Sequence, residues 1–334
     1  MSKKIKTIGV LTSGGDAPGM NAAVRSIVRT ALFHGLNVKG IHKGYHGLIN
    51  NLMEDMSLRS VSDILQRGGT RLYSARCLEF KEEAGVNKAV NNCKAIGIDG
   101  LVVCGGDGSF RGARDLSLKG IPCIGIPCTI DNDISSTDYT IGFDTAVNTV
   151  IQNIDKLRDT SQSHDRCSVV EVMGRNCGDI ALYSAICCGA VTTLIPEIEL
   201  DIERDIINKM RNTLKTGKNH FIVIMAEGVT KQHFADDDAL SAGMLAKYIQ
   251  EQTGVETRAT VIGHVQRGGS PTARDRVLAS QMGHYAAELL IKGTGNRVVA
   301  VRENKIVDFD ILESLKMVKK VDMDLVRAAN EISI

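Results

Sequence analysis

Lys6-Thr7-Ile8-Gly9-Val10-Leu11-Thr12-Ser13-Gly14-Gly15-Asp16-Ala17-Pro18-Gly19 runs from a short apolar segment straight into a glycine-rich loop. Lys6–Leu11 reads as a strand, and Gly19–Phe33 behind the loop has helical apolar spacing. The same order returns at Gly100–Cys104, which leads through Gly105-Gly106-Asp107-Gly108-Ser109 into the helical pattern Phe110–Leu118. Working outward, strand candidates continue at Val38–His42, Cys123–Ile126, Ser168–Met173, Thr193–Ile195, Phe221–Ala226, Thr257–Ile262 and Arg297–Val301. Helical patterns alternate with them at Thr145–Asp159, Asp179–Cys188, Glu203–Lys215, Ser241–Gln252 and Asp275–Ile291. Alternating strands and helices predict β-α-β units with mostly parallel sheets, an α/β fold. Ligands of such folds bind beyond the carboxyl ends of the strands, so the loops there carry the chemistry.

The chain has 334 residues, and about 150 residues per domain predicts two domains. With no Trp, seven Phe and six Tyr, the cores are expected to be mostly aliphatic. Lys+Arg at 40 against Asp+Glu at 39 leaves a formal charge of +1, which argues against a general nucleic-acid or membrane-surface binder. No apolar run approaches the roughly 18 residues of a membrane span. The N-terminal run ends too early for a secretory signal. Nine cysteines without a C-x-x-C pair indicate neither a disulfide framework nor a zinc ribbon, and a cytoplasmic protein is expected. Gly228–Ala242 reads as a polar surface loop. Gln66-Arg67-Gly68-Gly69-Thr70 is echoed by Gln266-Arg267-Gly268-Gly269-Ser270, too briefly to establish a duplication.

Three loops look chemical. In the first two, glycines let the backbone present several N–H groups to one anion, and the helix N-terminus behind adds partial positive charge. A tight strand-to-helix turn without a ligand accounts for one such loop alone; two in one chain favour the anion reading. Neither loop is a Walker A or a dinucleotide fingerprint, since Gly106-Asp107-Gly108 is followed by Ser109, Phe110 and Arg111. Asp107 is the natural direct ligand for a hard Mg²⁺ bridging phosphate oxygens. The third loop, Ile126-Pro127-Cys128-Thr129-Ile130-Asp131-Asn132-Asp133, spaces two carboxylates so that one can take a proton and the other hold a cation through water. As a bare turn, Asp-Asn-Asp needs no such role. Arg76, Arg166, Arg175, Arg258, His264 and Arg267 gather near loops, and guanidinium forks suit a phosphorylated substrate. A solvated charged face is the alternative for each alone.

Taken in order, Ile8–Arg25, Arg67–Arg76, Gly97–Ser109, Pro127–Phe143, Leu157–Gly178 and Glu256–Pro271 resemble the bacterial ATP-dependent 6-phosphofructokinase family. The resemblance covers Ile5 to about Phe309. It implies two interleaved three-layer α/β/α domains with mostly parallel sheets. Residues 1–141 plus about 266–316 would form a larger ATP-binding domain, and 142–265 plus about 317–334 a smaller sugar-phosphate domain. It implies a homotetramer with active sites shared between subunits, ATP and fructose 6-phosphate as substrates, and Mg²⁺ on Asp107. Gly15, Tyr45, Arg76 and Gly105, Gly106, Asp107, Gly108 and Ser109 would surround ATP. Thr129, Asp131 and Asp133 match the catalytic loop, Asp131 as base toward the sugar 1-hydroxyl, and Arg175 matches the arginine that stabilises the transferring phosphoryl group. Met173, Gly174, Glu227, His264 and Arg267 match sugar-phosphate contacts, with Arg166 and Arg258 reaching in from a neighbouring subunit. A regulatory nucleotide site would take Arg25, Arg29, Arg158 and Lys218.

Four positions depart from the family pattern. Cys128 stands where ATP-using members usually have Gly and pyrophosphate-using ones Lys. Val191 replaces a Glu and Asn219 a Lys of the regulatory site, and Leu58 stands where Arg is common, with Arg59 next. The expected activity is ATP-dependent phosphorylation of fructose 6-phosphate. A pyrophosphate-dependent enzyme is the near alternative and a catalytically silent nucleotide sensor the distant one.

Overall fold

The computed structural model describes residues 5–229 and 241–333. Within them the strands are β1 (Thr7–Thr12), β2 (Asn37–Ile41), β3 (Met53–Asp55), β4 (Gly100–Gly105), β5 (Cys123–Pro127), β6 (Cys167–Val172), β7 (Thr192–Leu194), β8 (Phe221–Ala226), β9 (Thr257–Val261), β10 (Arg297–Arg302) and β11 (Lys305–Asp310). Contacts divide the chain into two compact units. The first comprises Met1–Ile130, Ile134–Thr145 and Arg267–Lys319; the second comprises Asp131–Asp133, Ala146–Gln266 and Lys320–Ile334.

The first unit holds a seven-stranded sheet in the order β11-β10-β5-β4-β1-β2-β3. Its five inner strands are parallel, and β3 and β11 close the two edges antiparallel. Parallel strands buried on both faces read as continuous apolar runs rather than alternating ones, which is why Ile8–Leu11 and Leu101–Cys104 are uniformly buried. One face, through Leu11, Leu101, Val103 and Ile41, packs with Phe110, Val86, Val90 and Cys93 of the helices Asp107–Leu118 and Glu83–Ile96. The helices Met20–Phe33 and Ala273–Ile291 pack against each other and against the same sheet. Gly283 is small because a Cβ there would stand 2.7 Å from the Ala23 carbonyl oxygen.

The second unit holds a wholly parallel four-stranded sheet, β7-β8-β6-β9. Phe221–Ala226 occupies an inner position and is buried throughout, as its unbroken apolar run requires. Strand β9 is an edge, and Arg258, Ala259 and Val261 on it are exposed.

Several elements differ from the sequence reading. Strands β3 and β11 and the helices Gly44–Asn50, Glu83–Ile96 and Met323–Ile332 were not anticipated by apolar runs. Strand β11 turns back from β10 through Glu303-Asn304, both at positive φ, as the two central residues of a tight hairpin must be. The helix expected from Phe110 starts at Asp107, so Gly106 is its N-cap. Within the pattern at Glu203–Lys215, a π-turn over Glu203–Ile207 precedes the helix Asn208–Leu214. Of the expected surface loop Gly228–Ala242, residues 230–240 lie outside the described residues. No helix among the described residues is long and apolar enough to cross a membrane.

Asp275, fully buried at the start of the Ala273–Ile291 helix, fixes the segment that leaves the first unit. Its carboxylate accepts from the Gly142 and Thr145 N–H groups at 2.9 Å each and from the Thr145 hydroxyl. Burial raises its pKa against these hydrogen bonds, which lower it. Asp275→Ala leaves three donors without their acceptor, at a cost of about 3 kcal/mol or more. The melting temperature should fall by roughly 6–12 °C in differential scanning calorimetry. A fall below about 2 °C would contradict this assignment.

Candidate active site

In the first unit the two glycine loops lie side by side at the carboxyl ends of β1 and β4. The Ser13 N–H donates to the Cys104 carbonyl at 2.9 Å. A side chain at Gly105 would stand 2.6 Å from the Ser13 carbonyl oxygen, so the loops can approach only because that residue is glycine. Gly14, Gly15 and Gly108 are exposed, and nothing lies within 4 Å of where a Gly108 Cβ would be. Asp107 is the first helical residue, its side chain 45% exposed, with Arg111 donating to Oδ2 at 3.0 Å. The helix it opens has twelve residues and no side-chain cap, leaving N-terminal N–H groups available to an anion.

Residues 67–76 wrap this pair of loops. The Ser74 hydroxyl donates to the Gly14 carbonyl at 2.6 Å, and Thr12 Oγ1 meets Thr70 Oγ1 at 2.7 Å and the Tyr73 carbonyl at 2.8 Å. Asn21 Nδ2 donates to the Arg67 carbonyl, and its Oδ1 accepts from the Arg71 N–H. The echoed Arg-Gly-Gly segments meet in space: a Cβ on Gly68 would stand 2.4 Å from the Gly269 carbonyl oxygen. Arg267 lies on the first loop, Nη1 2.7 Å from a Gly15 Cβ position and 3.4 Å from the Asp16 carbonyl. Arg76 is exposed in the same stretch.

Tyr45 lies beneath the second glycine loop. It is 6% exposed, stacked on Phe80 at 4.1 Å between ring centroids, and its hydroxyl donates to the Ser109 carbonyl. Burial raises its pKa well above the usual phenol value, so the hydroxyl stays protonated as a donor. Cys128 is buried with its thiol against Cys104, and burial raises that pKa too. Its N–H donates to the Gly105 carbonyl at 2.9 Å, so the chain leading to Thr129 is tied to the second glycine loop. The Thr129 carbonyl accepts from the Thr140 hydroxyl at 2.7 Å.

The second unit gathers Asp131, Asn132 and Asp133 with the turn that follows β6. Arg175 Nε lies 3.5 Å from Asp131 Oδ2; the Asp131 side chain is 2% exposed and that of Arg175 65%. Gly174 and Arg175 both have positive φ, at 145° and 55°. Glu227, directly after β8, fixes this turn, its Oε1 accepting from the Gly174 N–H at 3.2 Å and the Arg175 N–H at 2.8 Å. Gln266 Oε1 accepts from the Met173 N–H at 2.9 Å. Asn132, also at positive φ, donates from Nδ2 to Asp179 Oδ2 at 2.7 Å. Asp131, Arg175, Met173, Gly174 and Glu227 are therefore one constellation.

Arg166 and Arg258 converge instead on Glu256, with an Arg166 ion pair at 2.9 Å and an Arg258 contact at 2.6 Å. Their hydrogen bonds hold the Glu256 carboxyl below its ordinary pKa. His264 is exposed on the short turn Gly263–Arg267. Arg25 and Arg29 lie one turn apart on the helix Met20–Phe33; burial, then repulsion from Arg29, lowers the Arg25 pKa. Arg158 donates to the Cys188 carbonyl. Lys218 and Arg158 also stand near His220, whose pKa is lowered by burial first and then by those two cations. Val191 is buried, with no side-chain oxygen to offer a cation.

The model of the phosphofructokinase family matches residues 7–290. The chain belongs to the phosphofructokinase family. The ATP-dependent 6-phosphofructokinase of Lysinibacillus sphaericus is 53% identical over 330 residues, 99% of this chain and 100% of that one. The protein of the same description from Bacillus cereus is 54% identical over equal coverage. Among solved phosphofructokinases, that of Saccharomyces cerevisiae superposes with a TM-score of 0.87 at 34% identity, covering 98% of this chain and 48% of that longer one. The Pichia pastoris enzyme gives 0.88 at 35% identity, with 99% of this chain and 37% of that one covered. The pyrophosphate-dependent phosphofructokinase of Marinobacter aquaeolei gives 0.83 at 22% identity, over 99% and 92%, a likeness of fold alone.

Several residues that build the candidate site were not singled out by the sequence. Asn21, Thr70, Ser74, Asp179 and Gln266 all bond loop residues or their backbone from a distance in sequence. The repeated Gln-Arg-Gly-Gly echo was the one signal near Gln266.

Proposed function

We propose that this chain transfers the terminal phosphoryl group of ATP to the 1-hydroxyl of fructose 6-phosphate, giving fructose 1,6-bisphosphate and ADP. The Asp131–Arg175 pair carries the reading: a buried carboxylate beside an exposed guanidinium, 3.5 Å apart. Asp131 takes the hydroxyl proton as the sugar oxygen attacks, and Arg175 offsets charge on the phosphoryl oxygens. Thr129 and Asp133 flank Asp131 and orient the reacting groups. Met173, Gly174, Glu227, His264 and Arg267 hold the sugar phosphate. Gly15, Arg76, Gly105, Gly106, Gly108 and Ser109 receive ATP, and Tyr45 acts through the Ser109 carbonyl rather than on the nucleotide.

Mg²⁺ is the cofactor in this reading. The half-exposed Asp107 carboxylate, beside N–H groups suited to phosphate, would hold such a hard cation. Bound there, it would neutralise charge on the phosphate oxygens. In the same reading the first unit is the nucleotide domain and the second the sugar-phosphate domain, in a cytoplasmic homotetramer. Arg166 and Arg258 serve a neighbouring subunit's sugar phosphate, and Arg25, Arg29, Arg158 and Lys218 an anionic effector.

In this reading Gly108 lies beside the nucleotide's α-phosphate and leaves it room, since nothing stands within 4 Å of where its Cβ would be. Like-charge juxtaposition costs several kcal/mol, so Gly108→Asp should lower kcat/KM for ATP by at least about tenfold. A coupled assay offering ATP or pyrophosphate at equal concentration tests the donor. Faster turnover with ATP is expected, and faster turnover with pyrophosphate would refute it.

A further inference from the structure

We infer that Gln266 is a positioning residue for the Met173-Gly174-Arg175 turn, holding the backbone that aims Arg175 at Asp131. The inference rests on the proposed role of that pair and adds a residue to it. Strand β6 ends at Val172, so the Met173 N–H is the first beyond the sheet's ladder. A side-chain carbonyl, Gln266 Oε1, takes that N–H at 2.9 Å and extends the ladder by one bond. Glu227 takes the next two N–H groups. Three consecutive N–H groups are thus fixed by two side chains, across two residues of positive φ. Such backbone persists only where its surroundings over-determine it.

Gln266 is fully buried, and its Nε2 has no hydrogen-bond partner among the described residues. Rotating the amide would set Nε2 against the Met173 N–H, donor against donor, so the carbonyl orientation is fixed by chemistry. The side chain is therefore kept for its acceptor alone, since burying an amide is costly when any of its groups goes unpaired. Without that acceptor the Met173 N–H is orphaned, and the turn gains access to conformations in which Arg175 no longer faces Asp131.

The test uses the full-length protein and two substitutions. Gln266→Met keeps the shape and removes the acceptor, whereas Gln266→Glu keeps an acceptor oxygen toward the Met173 N–H at the cost of burying a carboxyl group. Hydrogen-exchange mass spectrometry without substrates reads the amides of residues 173–175. Gln266→Met should speed their exchange by about tenfold, the weight of one buried hydrogen bond, while the rest of the second unit exchanges as in the parent protein. Its kcat should fall by a similar factor with KM for ATP unchanged, and Gln266→Glu should keep the slow exchange. Parent-like exchange at 173–175 in Gln266→Met would overturn the inference, as would acceleration spread evenly over the unit. Because exchange is read without turnover, failure of the proposed activity would appear separately, as an inactive parent enzyme.

Discussion

Asp131→Ala should lower kcat by about 10²–10⁴-fold while changing the KM values for ATP and fructose 6-phosphate only modestly. The range is that of a positioned proton acceptor, and the geometry says why Asp131 should fill the role. Its side chain is 2% exposed, so water competes poorly for the carboxylate, and the Arg175 guanidinium stands beside it, Nε 3.5 Å from Oδ2. The adjoining Asn132 is anchored through Asp179, so the loop's position does not depend on Asp131 itself. An alanine there should leave a folded protein that binds both substrates. Steady-state kinetics on a variant whose circular dichroism matches the parent checks this. A kcat within a factor of about three of the parent would remove Asp131 from the chemistry.

The second large effect is expected at Arg175, where replacement by Ala should cost about 10²–10³ in kcat, the weight of one preorganised charge-stabilising donor. The long side chain is 65% exposed while its backbone N–H is fixed by Glu227 at 2.8 Å. A charge anchored through its backbone and largely exposed can reach a ligand while its Nε stays near Asp131. Its loss should therefore appear in turnover more than in stability. Arg175→Lys keeps the charge but not the planar fork, and should recover only a small part of the loss. Full activity in Arg175→Lys would mean that a point charge suffices and that bidentate geometry plays no part. Full activity in Arg175→Ala would dissociate the residue from the phosphoryl group altogether.

Legibility in the sequence followed the range of the interactions. Strands β1 and β4 and the glycine loops behind them were readable because apolar run, glycines and helix onset are contiguous. Inner strands such as Phe221–Ala226 were equally plain, since burial on both faces imposes an unbroken apolar run. The edges of the seven-stranded sheet were not: β11 is Lys305-Ile306-Val307-Asp308-Phe309-Asp310, partly exposed and charged, and β3 is only three residues long. The candidate residues Asp131, Arg175 and Glu227 could be named from their motifs. Their joint placement in one unit depends on contacts between residues many positions apart. Gln266 and Asp179 act on backbone or side chains 93 and 47 residues away, and no local pattern encodes such a bond. Tyr45, named for a nucleotide contact, is buried and bonded to the Ser109 carbonyl, a tertiary contact 64 residues apart that no local pattern shows.

Phosphorus-31 NMR of the purified protein incubated with fructose 6-phosphate and Mg-ATP tests the central claim most directly. ADP and a new sugar phosphomonoester at carbon 1 should grow in equal amounts beside the retained 6-phosphate. Asp131→Ala should slow both together by the factor given above. Consumption of ATP with the sugar unchanged, or a new phosphoester at any position other than carbon 1, would contradict the account.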